Sequence, residues 1–291
     1  MRVIVGLSML ILVALSLCLV EPRYPVMAQK ADEMTRKLWD TAFIANPRKP
    51  SKRRSTYRIA TPNVPVDNVS PDTVVGVTIW RLRPAKRYDS GERLIVHDDE
   101  STKEWLPERI SANTKLLQGD RLRISVEAVR SGYLYVINRE QYADGTVGEP
   151  YLIFPTKRTV GGDNEVALGR LIEIPAQDDS PPFFTMKKSR PDHVAEVVSV
   201  LVTPKPLEGI EITDKAQRLP DAEVAQWEKQ WGSSVGRLEM STAGQAWTKE
   251  EKDANTRALT ASAPAPQLVF YKPSITHTEP IFVKLKLQYR R

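Results

Sequence analysis

The amino-acid sequence predicts a mainly β protein, namely an antiparallel β-sandwich-like domain with an N-terminal helix and a small α-helical insertion near the C-terminus. The first observation is the stretch 119–155, which combines hydrophobic alternation, turn residues and clustered aromatic residues. The second is a set of further β-patterned runs on both sides of that stretch. The third is helical periodicity, which is confined to two places near the ends of the chain.

The stretch 119–155 is predicted to form three consecutive strands. In the first strand apolar residues alternate with polar ones, which predicts one buried face and one wet face. The apolar set is Leu122, Ile124 and Val126, and the polar set is Arg121, Arg123 and Ser125. Residues 133–137 are apolar on both faces, as is typical of a central strand covered on two sides. Turns at Ser131-Gly132 and Asp144-Gly145 then predict an antiparallel meander that ends with residues 151–154.

Other β-patterned runs extend the predicted sheets. Residues 74–82 predict a strand with Val75, Val77 and Ile79 on one face. The remaining predicted strands are 93–97, 171–174, 194–202, 267–271 and 281–289. In the last of these, Lys284 and Lys286 alternate with apolar residues, so one face is expected to be wet.

The N-terminal helix is predicted over residues 29–45, where apolar residues recur at helical spacing. They are Met34, Leu38, Trp39, Ala42 and Phe43. A basic, proline-rich linker is predicted to follow over residues 46–72, because its composition cannot form a core.

The predicted C-terminal segment, residues 207–291, contains the helical insertion and the closing strands, and is expected to pack on the same core. Asp221 is a candidate N-cap for a helix over 221–231 that Gly232 ends. That helix carries an apolar stripe of Val224, Trp227 and Trp231. Thr248 and Glu251 match a capping box, which predicts a second helix reaching about Leu259.

The first 28 residues are predicted to be a signal peptide. Arg2 precedes an apolar run over 3–20, and Val26-Met27-Ala28 fits a cleavage site after Ala28. The alternative is an uncleaved membrane anchor, because a run of this length is at the lower limit for spanning a bilayer. Either reading predicts an extracytoplasmic protein, periplasmic or secreted, with membrane association if the segment stays. The only cysteine, Cys18, lies in this segment, so no disulfide is expected in the mature chain.

The charge is mildly basic and well mixed, with 42 Lys and Arg residues against 36 Asp and Glu residues. This balance is not a nucleic-acid signature. Basic residues concentrate only in the predicted linker, where they form a candidate contact for a polyanion or anionic lipids. They are Arg48, Lys49, Lys52, Arg53 and Arg54.

No catalytic, metal or cofactor site is predicted. The three histidines, His97, His193 and His277, lie in different segments and lack the paired spacing of a zinc site. The sequence has no Gly-x-Ser-x-Gly elbow, and the loop at 161–164 lacks the Lys of a phosphate-binding loop. Among possible dyads Asp192-His193 stands out, but adjacent residues of a strand point to opposite faces, which favours a loop before Val194.

Several residues, taken together, resemble the bacterial family called domain of unknown function 4384 over residues 73–206. They are Trp80, Gly119, Asp120, Gly132, Tyr133, Tyr135, Asp144, Gly145, Phe154, Pro155, Gly162 and Asn164. The resemblance implies a compact β-rich extracytoplasmic module, in relatives often joined to protease-like, kinase-like or envelope-lipoprotein partners. It implies no catalytic residues, and we expect the matched positions to be structural.

These observations together predict an exported, non-enzymatic binding or scaffolding module of the bacterial cell envelope, whose partner is a protein or an envelope component. Two alternatives stay open. One is an exported hydrolase whose active site is not readable from the sequence. The other is a polyanion or anionic-lipid binder that works through the basic stretch 48–54.

Overall fold

The computed structural model describes residues 24–45, 74–98, 101–255, 257–272 and 279–290. Its helices are α1 (Tyr24–Ala45), α2 (Asp221–Trp231) and α3 (Lys249–Lys252), and Val160–Gly162 and Asp253–Asn255 form short 3-10 helices. Its strands are β1 (Val74–Pro84), β2 (Leu94–Asp98), β3 (Ser101–Arg109), β4 (Arg121–Ala128), β5 (Gly132–Tyr142), β6 (Tyr151–Phe154), β7 (Glu165–Val166), β8 (Leu171–Ile174), β9 (Phe184–Thr185), β10 (His193–Thr203), β11 (Gln217–Arg218), β12 (Gly236–Glu239), β13 (Leu268–Tyr271) and β14 (Ile281–Gln288). The predicted linker 46–72 and residues 1–23 of the predicted signal peptide lie outside the described residues.

The strands form two antiparallel sheets that pack as a sandwich. In the first sheet β4 lies along one edge of β1, while β13 and β3 share the other edge. This sheet is extended by β12 and β2 on one side and by β8 and β9 on the other. The second sheet has the order β11-β6-β5-β10-β14, and β7 also pairs with β5. The predicted mainly β, sandwich-like fold is therefore confirmed, together with a helix near each end.

The inner faces of the two sheets meet in one apolar core. Alternate residues of each strand point into it, as the two-residue period of a strand requires. They include Val77 and Ile79 from β1, Val126 from β4, Leu134 and Val136 from β5, Val198 and Val200 from β10, and Val283 and Leu285 from β14. The other face of β5 is also covered, because Tyr135 and Ile137 pack against Trp227 of α2. The prediction of a central strand covered on both faces is confirmed.

The predicted meander is wrong, because β4 and β5 belong to different sheets. β4 pairs with β1, β8 and β9, whereas β5 pairs with β6, β7 and β10. The chain crosses between the sheets just before Gly132. A Cβ atom at Gly132 would lie 2.4 Å from the backbone oxygen of Thr203, so this close approach of β5 to β10 requires a glycine.

The polar face of β4, which the sequence predicts to be wet, is buried instead. Arg123 is 2% exposed and Glu127 is 6% exposed. They are covered from the segment 240–265, where Trp247 packs 6.4 Å from Trp80 between ring centres and Glu251 binds Arg109 at 2.5 Å. We call this set the buried polar layer, and it consists of Trp80, Arg109, Arg123, Ser125, Glu127, Glu173, Trp247 and Glu251.

Helix α1 begins at Tyr24, so the predicted cleavage position after Ala28 lies within it. Its buried stripe differs from the predicted one near the middle of the helix, where Thr35 takes the place of Met34. Thr35 is 1% exposed and points inward with Leu38, Trp39 and Ala42, whereas Met34 is 55% exposed. The prediction that Met34 lies on the buried face was wrong, because the face that packs on the protein contains Thr35 instead.

The two C-terminal helices differ in detail from the prediction. Helix α2 buries Val224 and Trp227 and ends at Gly232, but Asp221 does not cap it; its carboxylate binds Arg139 at 2.9 Å. The capping box of α3 is confirmed. The helix ends at Lys252 rather than near Leu259, because the Leu259 N–H donates to the Gly169 carbonyl at 2.7 Å instead. No helix in the described part of the chain is long and apolar enough to cross a membrane.

Candidate functional site

The inner face of the second sheet turns polar at one end of the sandwich. On β5 the core positions Leu134 and Val136 are followed by Asn138 and Glu140, and the strand ends at Tyr142. On β10 Glu196 lies directly opposite Glu140. Like charges in facing positions are unfavourable unless other groups engage them. We call these residues and their partners the His193 cluster; its members are Asn138, Glu140, Tyr142, Ser189, His193, Glu196 and Tyr289.

His193 is the first residue of β10 and is 0% exposed, so the predicted loop at this position is wrong. Its Nε2 lies 2.9 Å from the Ala195 carbonyl oxygen, and its Nδ1 accepts the Ser189 N–H at 3.3 Å. The Glu196 and Glu140 carboxylates also lie near the ring, 3.4 Å from Nε2 and 3.9 Å from Nδ1. Asp192 does not orient this ring, because its carboxylate binds Arg190 at 2.7 Å. Both ring nitrogens are therefore engaged by the backbone, and His193 holds the start of β10 in place.

Two tyrosines enclose the His193 ring and engage the facing carboxylates. Tyr142 and Tyr289 approach the imidazole edge-on, with ring centres 6.1 and 4.9 Å away. The Tyr142 hydroxyl donates to Glu140 at 2.8 Å. The single proton of the Tyr289 hydroxyl has two acceptors within reach, the Lys187 carbonyl at 2.9 Å and Glu196 at 3.1 Å. Because these hydroxyls point inward, both carboxylates have hydrogen-bond partners inside the protein.

Burial and hydrogen bonding shift the acidity of this cluster. Burial raises the pKa of the Glu196 carboxyl group, which the nearby Asn138 amide and His193 ring lower in part. Burial, and then the Glu196 carboxylate, raise the pKa of the Tyr289 hydroxyl group. The hydrogen bond to Glu140 raises the pKa of Tyr142. Both tyrosines are therefore neutral donors at ordinary pH.

A solvent-accessible groove of about 740 Å³ lies against the two tyrosines. We call it the cationic groove; it is lined by Lys115, Gln141, Tyr142, Ala143, Gly145, Lys188, Val194, Lys286, Gln288, Tyr289 and Arg290. Four of these residues are basic and none is acidic. Lys115 comes from the loop between β3 and β4, Lys188 from the loop between β9 and β10, and the other two from β14 and the residues after it. Three separate segments thus bring positive charge to one site.

The four basic side chains of the groove form no ion pair with any residue that the structure describes. The contrast within β14 is direct, because Lys284, on the same face as Lys286, binds the Glu228 carboxylate. The Lys188 ammonium lies 5.3 Å from the centre of the Tyr289 ring, a distance at which a cation is attracted to the ring face. Among the described residues, no ion pair therefore offsets the positive charge of the groove.

The polyanion contact predicted at Arg48, Lys49, Lys52, Arg53 and Arg54 lies outside the described residues. The structure instead brings together a different basic set. One feature of the sequence pointed to this basic set, namely the solvent-exposed face predicted for the last strand, which includes Lys286. The other members are single basic residues in unrelated loops, so no local pattern marks them.

The residues that carry the family resemblance are spread over both sheets, and only Gly145 lines the groove. Several fix turns: Gly119 and Gly145 have positive φ, and Asp120 and Asp144 accept backbone N–H groups within their own turns. Others pack or bind in the interior; these are Trp80, Tyr133, Tyr135, Phe154, Pro155 and Asn164, whose amide donates to the Leu134 carbonyl. At Gly162 a Cβ atom would lie 2.6 Å from Ile212. The expectation that these positions are structural stays a prediction.

Metal binding has no support within the described residues, where no group of three or more His, Cys, Asp or Glu side chains could hold an ion. No protein-family model, curated protein or solved structure matches the chain. The resemblance to domain of unknown function 4384 therefore stays a prediction. The function has to be argued from the geometry of the groove.

Proposed function

We propose that this chain is an exported, non-enzymatic β-sandwich module of the bacterial cell envelope, which binds a protein or an envelope component in the cationic groove. The observation that carries the proposal is the groove itself. It is open to solvent, has a volume of about 740 Å³ and gathers basic side chains from three segments, and none of its described lining residues is acidic. This size is typical of ligand sites.

The backbone around the groove supports a binding role because it is tied together from several sides. The Leu116 N–H donates to the Gln288 carbonyl at 2.8 Å, and the Arg290 N–H donates back to the Leu116 carbonyl at 2.7 Å. The Tyr289 N–H donates to Val194 at 2.9 Å. The basic residues therefore project from a backbone that is fixed before a ligand arrives, which lowers the entropy cost of binding.

The geometry of His193 favours a binding module over the hydrolase alternative. A general base must reach the proton that it removes, but the His193 ring is fully buried and both of its nitrogens have backbone partners. The nearby Ser189 hydroxyl donates to Glu140 at 2.5 Å and not to the imidazole. We therefore expect no turnover of ester or peptide substrates with His193 as the base, and any turnover that His193→Gln abolishes would contradict the proposal.

The binding role is tested with envelope extract passed over immobilised mature protein. We expect a component that the parent retains, that Lys188→Ala/Lys286→Ala loses and that Lys284→Ala retains. Lys284→Ala is the control for loss of a lysine from the same face of β14, because Lys284 lies outside the groove, where it is paired with Glu228. Equal retention by all three proteins would refute the groove as the binding site.

A further inference from the structure

We infer that the ligand of the cationic groove is a polymer that carries several oxyanions, either phosphate or carboxylate groups, along one chain. This inference rests on the proposed binding function and names the chemistry of the ligand. Four observations support it: the number of unpaired cations, the isolation of the nearby carboxylates, the occupied tyrosine rings and the donor types left at the surface.

The number of cations calls for more than one anionic group. Lys115, Lys188, Lys286 and Arg290 surround one groove, and none has an ion pair within the described part of the chain. Four cations that share a site repel one another unless a ligand supplies opposite charge. One phosphate or carboxylate group cannot balance them, whereas several such groups on one chain can.

The nearby carboxylates do not neutralise the groove, because they are engaged beneath it. Glu140 accepts hydrogen bonds from Tyr142 and Ser189, and Glu196 accepts them from Asn138 and Tyr289. Neither glutamate lines the groove. The Glu196 side chain is 14% exposed and that of Glu140 is 32% exposed, while the exposed Asp144 accepts the N–H and the hydroxyl of Thr146 within its own turn. None of these three carboxylates forms an ion pair with a basic residue of the groove that the structure describes.

The aromatic rings at the groove are already occupied by cations. The Arg190 guanidinium lies 4.1 Å from the centre of the Tyr142 ring, and the Lys188 ammonium is near the Tyr289 ring. Tyr289 is also only 4% exposed. Sugars and nucleobases are commonly bound by stacking on an aromatic face, and both tyrosine rings among the described lining residues already have a cation near them. Recognition must therefore depend on charge rather than on ring stacking.

The exposed donors suit oxyanions. The Arg290 guanidinium has the planar fork that pairs with carboxylate or phosphate oxygens, and the lysine ammonium groups act as point charges. Gln141 and Gln288 add amide groups to the lining. Phosphate and carboxylate polymers share this chemistry, so they are separated by experiment.

The test measures binding of the full mature chain to linear polyphosphate, to polyglutamate and to inorganic phosphate at matched anion concentration, between 25 and 200 mM salt. We expect at least one polymer to bind at least ten times more tightly than inorganic phosphate, and the affinity to fall as salt rises. Lys188→Ala, Lys286→Ala and Arg290→Ala should each reduce the slope of log K against log salt by roughly one. Lys284→Ala should leave the slope unchanged, and equal melting temperatures confirm that the variants fold.

The outcomes separate the possible explanations. Binding of both polymers supports oxyanion recognition in general, and binding of one identifies its chemical source. The inference is overturned if inorganic phosphate binds as tightly as the polymers, or if the groove cations are needed only for anionic vesicles. It is also overturned if neutralising Arg48, Lys49, Lys52, Arg53 and Arg54 abolishes polymer binding while the groove variants retain it.

The ligand class and the proposed function can fail separately. If neither polymer binds, but Lys188→Ala/Lys286→Ala still loses an envelope component that the parent retains, the ligand class is wrong and the binding function stands. If the groove variants match the parent in both assays, both are wrong.

Discussion

Glu127 is expected to make the stability of this protein depend on pH. Its carboxyl group lies in the buried polar layer, and burial raises its pKa to about 8, with Glu251 adding to the effect and Arg109 opposing it. The folded protein therefore holds a proton that the unfolded chain loses at its ordinary pKa of 4.5. Because the folded state binds more protons, stability falls as pH rises between these two values.

The size of the effect follows from the linkage relation. A difference of one bound proton changes the free energy of unfolding by about 1.4 kcal/mol per pH unit. Between pH 5.5 and pH 8 the parent should thus lose roughly 3 kcal/mol through this group. In Glu127→Gln the slope should decrease by the part that Glu127 contributes, because an amide that cannot ionise replaces a carboxyl group that must ionise. Glu196, whose pKa burial also raises, keeps its own contribution to the slope.

Urea unfolding at pH 5.5, 6.5 and 8 measures this slope directly for the parent and the variant. Glu165→Gln is the matched control, because Glu165 is an exposed carboxylate on β7. It should leave the slope as it is in the parent. If Glu127→Gln keeps the full slope, then Glu127 is not held as a buried neutral acid, and the account of the polar layer is wrong.

Three further predictions concern the core and the export of the chain. Trp227→Ala should lower the free energy of unfolding by roughly 3 to 5 kcal/mol. Trp231→Ala should lower it by less, because Trp231 is only half-buried. Calorimetry of both variants tests the docking of α2. Tyr135→Asp and Val136→Asp should each lower the urea midpoint strongly, since both faces of β5 are covered, and a near-neutral result for either would contradict that covering. N-terminal sequencing of the exported protein should give Gln29 as its first residue, whereas an intact Met1 in the membrane fraction would favour the anchor.

The sequence was sufficient for most strands because burial leaves a two-residue period that can be read locally. Residues 133–137 carry apolar side chains on both faces, and the strand there is indeed covered by a sheet on one face and by α2 on the other. The runs at 74–82 and 281–289 likewise match β1 and β14 closely. In these elements the pattern and the packing agree.

The same two-residue period gave wrong predictions where contacts with distant residues determine burial and strand pairing. Alternation in β4 cannot distinguish a wet polar face from one covered by other polar residues, and here the cover comes from the segment 240–265, more than a hundred residues away. The turn at Ser131-Gly132 likewise could not distinguish a hairpin from a crossover, since both need a tight bend. The sheet to which β5 belongs depends on its pairing with β10.

The groove was not predictable because its residues share no sequence pattern. Lys115, Lys188 and Lys286 each lie among ordinary polar residues, and they become neighbours only when β14 pairs with β10 and the Leu116 loop bonds to its end. The one basic cluster that the sequence does display, at 48–54, lies outside the described residues.

The chain uses its charges in two opposite ways, and the contrast supports a ligand role for the groove. In the buried polar layer Arg109 binds Glu251 and Arg123 binds Glu173, as buried charges must be paired to offset the cost of leaving water. Near the groove Glu140 and Glu196 are engaged by tyrosine hydroxyls and lie near the His193 ring, and the basic side chains of the groove form no ion pair within the described part of the chain. Pairing those carboxylates with the basic residues would favour stability. A binding site for anions requires basic side chains that are not paired with carboxylates of the protein and that are accessible to solvent.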